Sequence, residues 1–458
     1  SVNQADNEKE TKMRVPHRRK NSYARHFPLI LPFPCDKINP SDYVFISEDN
    51  MTNIAVLGFG VVGGGIACVL DENRERIEAL AGGPVNLKYI LDLRDFPDSP
   101  YGDRVVHDID RIIKDESVGI VCEAMGGVHP ALEFSLAALN AGKSVVTSNK
   151  ELVAKHGVEL LKAAEKNNAA YLYEAAVGGG IPVLRSMKTS LASDRIKAVT
   201  GILNGTTNYI LTKMEKDGAD FASALREAQD LGYAEANPSA DVDGFDAQRK
   251  IMILTAIATG KMLSEDSVYT ETMTRLTPDD INAARRMGGA VKLLGCFREK
   301  DGKIASYVCP FIVGQSAPLA NINDVYNGVW VEGETTGDVM FYGRGAGRYP
   351  TAGAMISDVC AIMTGAFAAE YPRRWTKADR DDTAAFEDLS FRYYVRTEST
   401  DREALSDASE ALFGECTFSD ESPEGTAEIV TGEIRERDMR NMLSSGKLGK
   451  VLSVIRIL

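Results

Sequence analysis

No run of roughly eighteen or more apolar residues occurs in this sequence, so nothing in it reads as a membrane-spanning helix. Positive charge is also in short supply. Lysine and arginine total 52 against 66 aspartates and glutamates, and the net charge of −14 argues against nucleic acid as the main partner. An acidic total still allows an anionic ligand, because helix N-termini and single lysines act locally. The seven cysteines form no C-x-x-C pair and no metal-like spacing with histidine. A reducing, cytoplasmic setting is therefore expected.

What is present is a 458-residue chain, 44% hydrophobic and 26% charged, a composition suited to two or three globular domains with their own cores. Residues 1–50 stand apart. Lys12 to Arg25 carries six basic side chains and no acidic one, followed by Phe27-Pro-Leu-Ile-Leu-Pro-Phe-Pro34. Prolines interrupt that apolar run and no small-residue cleavage site is obvious, so a flexible N-terminal extension is expected rather than an export signal.

From Asn53 the pattern is strand, glycine turn and helix. Asn53-Ile-Ala-Val-Leu runs into Gly58-Phe59-Gly60-Val61-Val62-Gly63, and a helix begins by Ile66. This is the order a dinucleotide site requires: Gly58 for the tight turn, Gly60 for close approach of the pyrophosphate, Gly63 for helix–strand packing. A second strand, Leu87 to Leu93, carries Asp92 and Arg94 near its end. An acid there would hold a ribose diol and favour NAD, whereas an arginine could receive the phosphate of NADP; Arg94 tips the reading slightly to NADP. A third strand, from Val118, ends in the turn Gly126-Gly127. Helix 130–141 and strand Ser144–Thr147 then lead to Lys150, at the sheet end where open α/β folds bind ligands.

Glu174 ends another strand and precedes Val177-Gly-Gly179-Gly-Ile181-Pro182. Its neighbouring carbonyls could hold a hard monovalent ion, though a turn needed only for packing reads equally well. Gly201-Ile-Leu-Asn-Gly205-Thr206 is a strand meeting a helix start, where hydroxyls and free N–H groups could hold a substrate carboxylate. An amphipathic helix over 219–231 leads to Glu235, Asp241, Asp243, Asp246 and Lys250. A helix starting near Gly244 would put Asp246 and Lys250 on one face, as a cleft-edge ion pair or as an ordinary surface one. Residues 306–357 alternate strands and turns and include the loop Gly343-Arg-Gly345-Ala-Gly347. After a polar linker, 386–458 reads β-α-β-β-α-β, a ferredoxin-like module.

In their joint order these runs resemble homoserine dehydrogenase. The resemblance rests on Ile54-Ala-Val-Leu-Gly-Phe-Gly-Val-Val-Gly63, Val146-Thr-Ser-Asn-Lys150, Glu174-Ala-Ala-Val-Gly-Gly-Gly-Ile-Pro182 and Ile202-Leu-Asn-Gly-Thr-Thr-Asn-Tyr-Ile210. It continues in Gly232-Tyr-Ala-Glu235, Ser239-Ala-Asp-Val-Asp-Gly-Phe-Asp-Ala-Gln-Arg-Lys250 and Met340-Phe-Tyr-Gly-Arg-Gly-Ala-Gly347, spanning about residues 51–370. The tail resembles an ACT domain, and with no aspartate kinase region the chain resembles the monofunctional form. The implied fold is α/β: an N-terminal extension over 1–50, a Rossmann-type NAD(P)-binding domain over 51–185 and an α+β substrate-binding and dimerisation domain over 186–345. A segment over 346–372 would return to the nucleotide-binding domain, followed by a linker over 373–385 and a C-terminal ferredoxin-like ACT domain over 386–458.

The implied activity is reversible NAD(P)H-dependent reduction of L-aspartate 4-semialdehyde to L-homoserine, on the route to threonine, methionine and isoleucine. By resemblance Lys250 donates the proton, Lys150 assists at substrate and nicotinamide, and Asp246 positions Lys250. Glu235 and Asp241 would hold the substrate amino end, with Gly205 and Thr206 lining the pocket. Gly58, Phe59, Gly60, Val61, Val62, Gly63, Arg94, Gly126, Lys150 and Gly345 would contact NADP or NAD. A structural sodium-type ion would lie at Glu174 and the carbonyls of Val177, Gly179 and Ile181. A homodimer or homotetramer and a threonine effector are further implications. One departure is the stretch Phe96-Pro-Asp-Ser-Pro-Tyr-Gly102, where the family often places a basic residue for the NADP phosphate. Two rivals carry less weight. A phosphorylating or aldehyde-oxidising enzyme needs a nucleophilic cysteine, and Cys122 sits inside a strand without a placed histidine. An inactive sensor would be expected to lose Lys150 or the Glu235–Lys250 group, and this chain keeps both.

Overall fold

The computed structural model describes residues 51–370, 374–399 and 401–458. The expected flexible extension over 1–50 lies outside the described residues.

Strands Thr52–Leu57 (β1), Val85–Leu91 (β2), Val105–Val106 (β3), Val118–Glu123 (β4), Ser144–Thr147 (β5) and Tyr171–Leu172 (β6) form an all-parallel sheet in the order β3-β2-β1-β4-β5-β6. Both faces of such a sheet are covered, which explains the near-continuous apolar runs of β1 and β4. The order reverses between β1 and β4, and the crevice at their carboxyl ends is where an open α/β sheet takes its ligand. Helix Arg348–Met363 returns to this region. Its Ala352, Met355, Ile356 and Val359 share a core with Ile66 and Leu70 of helix Val61–Glu72. The predicted strand-and-turn pattern over 306–357 does not hold to its end, because its last part is the start of this helix. Pro350 falls in the helix's first turn, where a missing N–H costs no hydrogen bond.

The second sheet contains Ile196–Ile202 (β7), Gly289–Lys300 (β10), Lys303–Gly314 (β11), Tyr326–Gly333 (β12) and Gly337–Arg344 (β13), after the short strands Lys261–Met262 (β8) and Tyr269–Thr270 (β9). β10 and β11 form a twelve-rung hairpin, Gly289↔Gly314 to Lys300↔Lys303. Asp301 and Gly302 both have positive φ at its tip, the geometry that matches the twist of a two-residue hairpin loop. Helix Phe245–Thr259 packs Ile251 and Leu254 into the core beneath this sheet.

The stretch expected to be a plain linker contains Thr376–Lys377 (β14), which pairs with β8, and the buried Trp375, whose ring lies 5.2 Å from that of Tyr173. Beyond it lie Ser390–Glu398 (β15), helix Arg402–Phe413, Cys416–Phe418 (β16), Thr426–Thr431 (β17), Ile434–Arg435 (β18), helix Glu436–Ser444 and Val451–Ile457 (β19). The β-α-β-β-α-β order matches the sequence reading, with β18 as a short addition. The module is not a separate body on a tether. β19 pairs in parallel with β11 through Phe311↔Arg456 and Ile312↔Ile457, so one sheet runs β13-β12-β7-β10-β11-β19-β15-β17-β16. Among the described residues no helix is long and apolar enough to cross a membrane.

Candidate active site

Gly244 caps helix Phe245–Thr259 in a left-handed conformation with φ +85°, and a Cβ there would stand 2.9 Å from the Thr270 methyl. Glycine therefore sets both the turn and its seating on β9. The helix starts with Asp246 in its first turn and Lys250 four residues on. Lys250 Nζ donates to Asp246 Oδ2 at 2.7 Å and to the Leu203 carbonyl at 2.7 Å. The sequence-predicted pair is thus buried rather than a surface ornament.

Lys150 reaches the same carboxylate from the other half of the molecule. It is the first residue of helix Lys150–Lys166, which Asn149 caps by accepting the Leu152 N–H at 3.0 Å. A cation at a helix N-terminus opposes the helix dipole. Asp246 answers it: Lys150 Nζ lies 2.9 Å from Asp246 Oδ1. One carboxylate therefore holds two ammonium groups on its two oxygens. Burial would push the Asp246 carboxyl up, but the two lysines outweigh it and hold it well below the usual range. Burial pulls the Lys250 ammonium down; Asp246 opposes that shift and Lys150 adds to it. Lys150, whose side chain is 42% exposed, is held above the usual lysine value, chiefly by the charge of Asp246.

Asn204 was not anticipated. Its Nδ2 donates to Asp241 Oδ1 at 2.7 Å and to Asp246 Oδ2 at 2.8 Å, while its Oδ1 caps helix Gly205–Asp217 by accepting the Thr207 N–H at 2.8 Å. The available signal was an asparagine between a strand and a helix start. Gly205 opens that helix, and Thr206 Oγ1 donates to the Tyr233 carbonyl at 2.7 Å, tying the helix start to the loop that carries Glu235. Glu235 itself is exposed, and among the described residues no ion pair holds its carboxylate. Lys150, Asp241, Asp246 and Lys250 are thus brought together, with Thr206 two residues beyond Asn204, whereas no hydrogen bond or ion pair ties the exposed Glu235 to them.

At the first sheet, Gly58 (φ +87°) turns the chain out of β1. A Cβ on Gly63 would lie 1.9 Å from the Gly58 carbonyl oxygen, so only glycine allows that packing. No side chain caps helix Val61–Glu72 at Gly60, which leaves its first N–H groups for an anion. Phe59, Gly60 and Val61 line a cleft of about 530 Å³ with Phe96, Tyr101 and Arg348. Val62 follows in the first turn of the same helix. Asp92, just past β2, accepts from the Phe59 N–H at 2.8 Å and grips Arg94 through Nε and Nη2, each at 3.0 Å. The Arg94 guanidinium remains exposed. Gly126 turns the chain after β4, again with positive φ. There the buried Glu123, also unanticipated, accepts from Thr147 Oγ1 at 2.5 Å and from the Met125 N–H at 2.8 Å, fixing the ends of β4 and β5. Cys122 is fully buried and its thiol is pushed up to about 12 by burial, so it is no nucleophile.

Glu174 is buried and accepts the N–H groups of Leu184 at 3.1 Å and Arg185 at 2.6 Å. It lines a cavity of about 640 Å³ with Gly179, Ile181, Arg344 and others; Val177 is buried alongside in the chain. Gly345, directly after β13, backs onto Gly179. Among the described residues no group of three or more histidine, cysteine, aspartate or glutamate side chains is arranged to hold a metal.

The profile described as "Homoserine dehydrogenase, NAD binding domain" matches residues 58–174, and that described as "Homoserine dehydrogenase" matches 182–360. A homoserine dehydrogenase of Corynebacterium glutamicum is 41% identical over 370 residues, 79% of this chain and 83% of that protein. The chain belongs to the homoserine dehydrogenase family. Its fold agrees with the crystal structure of a homoserine dehydrogenase from Thiobacillus denitrificans at TM-score 0.82 and 32% identity, covering 89% of this chain and 99% of that one. A hyperthermophilic archaeal homoserine dehydrogenase in complex with NADPH aligns at TM-score 0.60 and 26% identity over 69% of this chain and 98% of its own. Like the rest of the homoserine dehydrogenase family, the chain is an NAD(P)-dependent enzyme. The residues present fit that cofactor: the glycine turn leaves no side chain in the phosphate cradle, and the helix N-terminus above it is uncapped.

Proposed function

We propose that this chain interconverts L-aspartate 4-semialdehyde and L-homoserine, with Lys250 as the group that gives the aldehyde oxygen its proton during reduction. The observation that carries the reading is the sharing of buried Asp246 by two lysines. An ammonium has three donors, and Lys250 spends two on Asp246 and the Leu203 carbonyl, leaving one for a substrate oxygen. Lys150 adds a second positive charge where the oxygen becomes anionic. Bound nicotinamide dinucleotide supplies or accepts the hydride. Asp246 orients Lys250 and keeps both lysines close without leaving two like charges unpaired. Glu235 and Asp241 hold the substrate ammonium, and Gly205 and Thr206 close the pocket around it.

NADP is favoured over NAD, because Asp92 is occupied by Phe59 and Arg94 while the Arg94 guanidinium faces solvent. A sodium-like ion at Glu174 and the carbonyls of Val177, Gly179 and Ile181 would meet only oxygen ligands, as such an ion prefers; it would stiffen that turn rather than join the chemistry. The C-terminal module is ACT-like and senses threonine, and the working unit is a homodimer or homotetramer.

One assay addresses these points: L-homoserine-dependent reduction of NADP and of NAD, with and without threonine, in sodium, potassium or lithium salts, alongside light scattering for mass. Homoserine-dependent reduction that is faster with NADP, inhibited by threonine and dependent on the cation is expected from a dimer or tetramer. No reduction of either cofactor by folded protein contradicts the reaction. A faster NAD rate, indifference to threonine, indifference to the cation or a monomer mass each removes the corresponding refinement.

A further inference from the structure

Asp241, half-buried, and Asp246, buried, are two carboxylates in one site, and each disfavours ionisation of the other. Burial and the charge of Asp246 raise the Asp241 carboxyl, whereas Asn204, Lys250 and Lys150 lower it. The two lysines cannot serve Asp241 fully. Both already sit on Asp246, and the proposed mechanism needs their remaining N–H groups for the reacting oxygen. Asn204 meets the need without charge. Its amide has two hydrogens, and each is given to a different carboxylate, at 2.7 Å to Asp241 and 2.8 Å to Asp246. The amide cannot flip, because its oxygen is fixed by the Thr207 N–H. The preceding Leu203 carbonyl takes Lys250 at 2.7 Å, so two adjacent residues register three members of the site.

We infer that Asn204 is a positioning residue of the reaction: a neutral clamp that keeps Asp241 ionised for the substrate ammonium and aligns Asp246 with Lys250. The inference rests on the proposed roles of Asp241 and Lys250. The charged groups facing the two acids are Lys250, from the helix that carries Asp246, and Lys150, from the neighbouring helix start. Arg249 is held elsewhere, by Glu151 and Glu265.

The test is Asn204→Ser, which keeps a helix-capping oxygen but is too short to bridge the two acids. The pH dependence of kcat/KM for L-homoserine is measured with dinucleotide affinity and melting temperature alongside. Hydrogen bonds to charged groups are lost, so kcat/KM is expected to fall roughly ten- to hundredfold, with dinucleotide affinity unchanged. Without its amide donor Asp241 takes up a proton at higher pH, and the acid limb of the profile moves upward. A kcat/KM within about twofold of the parent and an unmoved acid limb would overturn the inference. Asn204→Asp retains size and cap while replacing the donor by a third carboxylate. Should the serine variant not fold, this one is expected to shift the acid limb further, and an unmoved limb counts against the clamp. Lys250→Ala run in parallel separates the two readings. Its full activity sinks the underlying mechanism, whereas its inactivity beside a normal Asn204→Ser sinks only the clamp.

Discussion

Asp246 answers two lysines with one carboxylate, whereas Glu436, at the junction of the C-terminal module, meets a donor for each of its lone pairs. Arg456 grips Glu436 through two nitrogens at 3.1 and 2.9 Å and reaches Glu271 of the substrate domain at 2.7 Å. Tyr393 and Arg440 donate to the same Glu436, and Arg396 pairs with Asp280 and Asp279 nearby. Both clusters are buried and built from similar side chains. The junction cluster is saturated, so it stitches the modules together. The other leaves an ammonium hydrogen unspent and a half-buried lysine beside it, which is the condition for acting on a ligand. Satisfaction, rather than charge or burial, separates the structural cluster from the one proposed to be reactive.

Substitutions should therefore split stability from turnover. The largest effect is expected from Lys250→Ala, lowering kcat by roughly 10²–10⁴ while dinucleotide affinity holds; steady-state rates and a binding titration check it. Arg456→Ala should do the reverse. It leaves Glu436 with Tyr393 and Arg440 alone and takes the arginine from Glu271, and should cost roughly 1.5–3 kcal/mol in urea unfolding, with near-normal kcat in the folded fraction at low temperature. Glu436 sharpens this: burial would raise its carboxyl, but Arg456 outweighs that and holds it below the ordinary value. A depressed folded value makes its stabilisation complete above the unfolded carboxylate pKa of about 4.3 and lost as pH falls through the folded one. Acid unfolding should thus start at higher pH in the Arg456 variant. The smallest effect is expected at Lys450–Glu398, a solvent-exposed pair, where Lys450→Ala should leave melting temperature and kcat unmoved.

Local features were legible in the sequence because local chemistry sets them. The glycine turn follows from φ and close packing, the Asp246–Lys250 pairing from helix geometry, and the C-terminal elements from alternating and helical periodicity. What escaped depends on distant partners. Nothing near Ile312 announces that it pairs with Ile457, so the module reads as tethered when it is continuous with the sheet. Lys150 and Asp246 lie almost a hundred residues apart, and only resemblance linked them. Asn204 reads as a helix cap; its second task is visible only once Asp241 and Asp246 arrive from another segment. In the sequence Asp92 and Arg94 are alternatives for one ribose, but a strand ending at Leu91 turns Asp92 inward and makes Arg94 its partner.

The pH dependence of kcat for homoserine oxidation, in the parent chain and in Asp246→Asn, tests the central claim most directly. In that direction Lys250 must accept a proton, so the rate should rise with pH through an inflection below the ordinary lysine value of about 10.4. Removing the carboxylate that opposes the downward shift should move the inflection to still lower pH. An inflection at the ordinary lysine value, or one unmoved by the substitution, would contradict the assignment of Lys250 as the proton-transferring group under the control of Asp246.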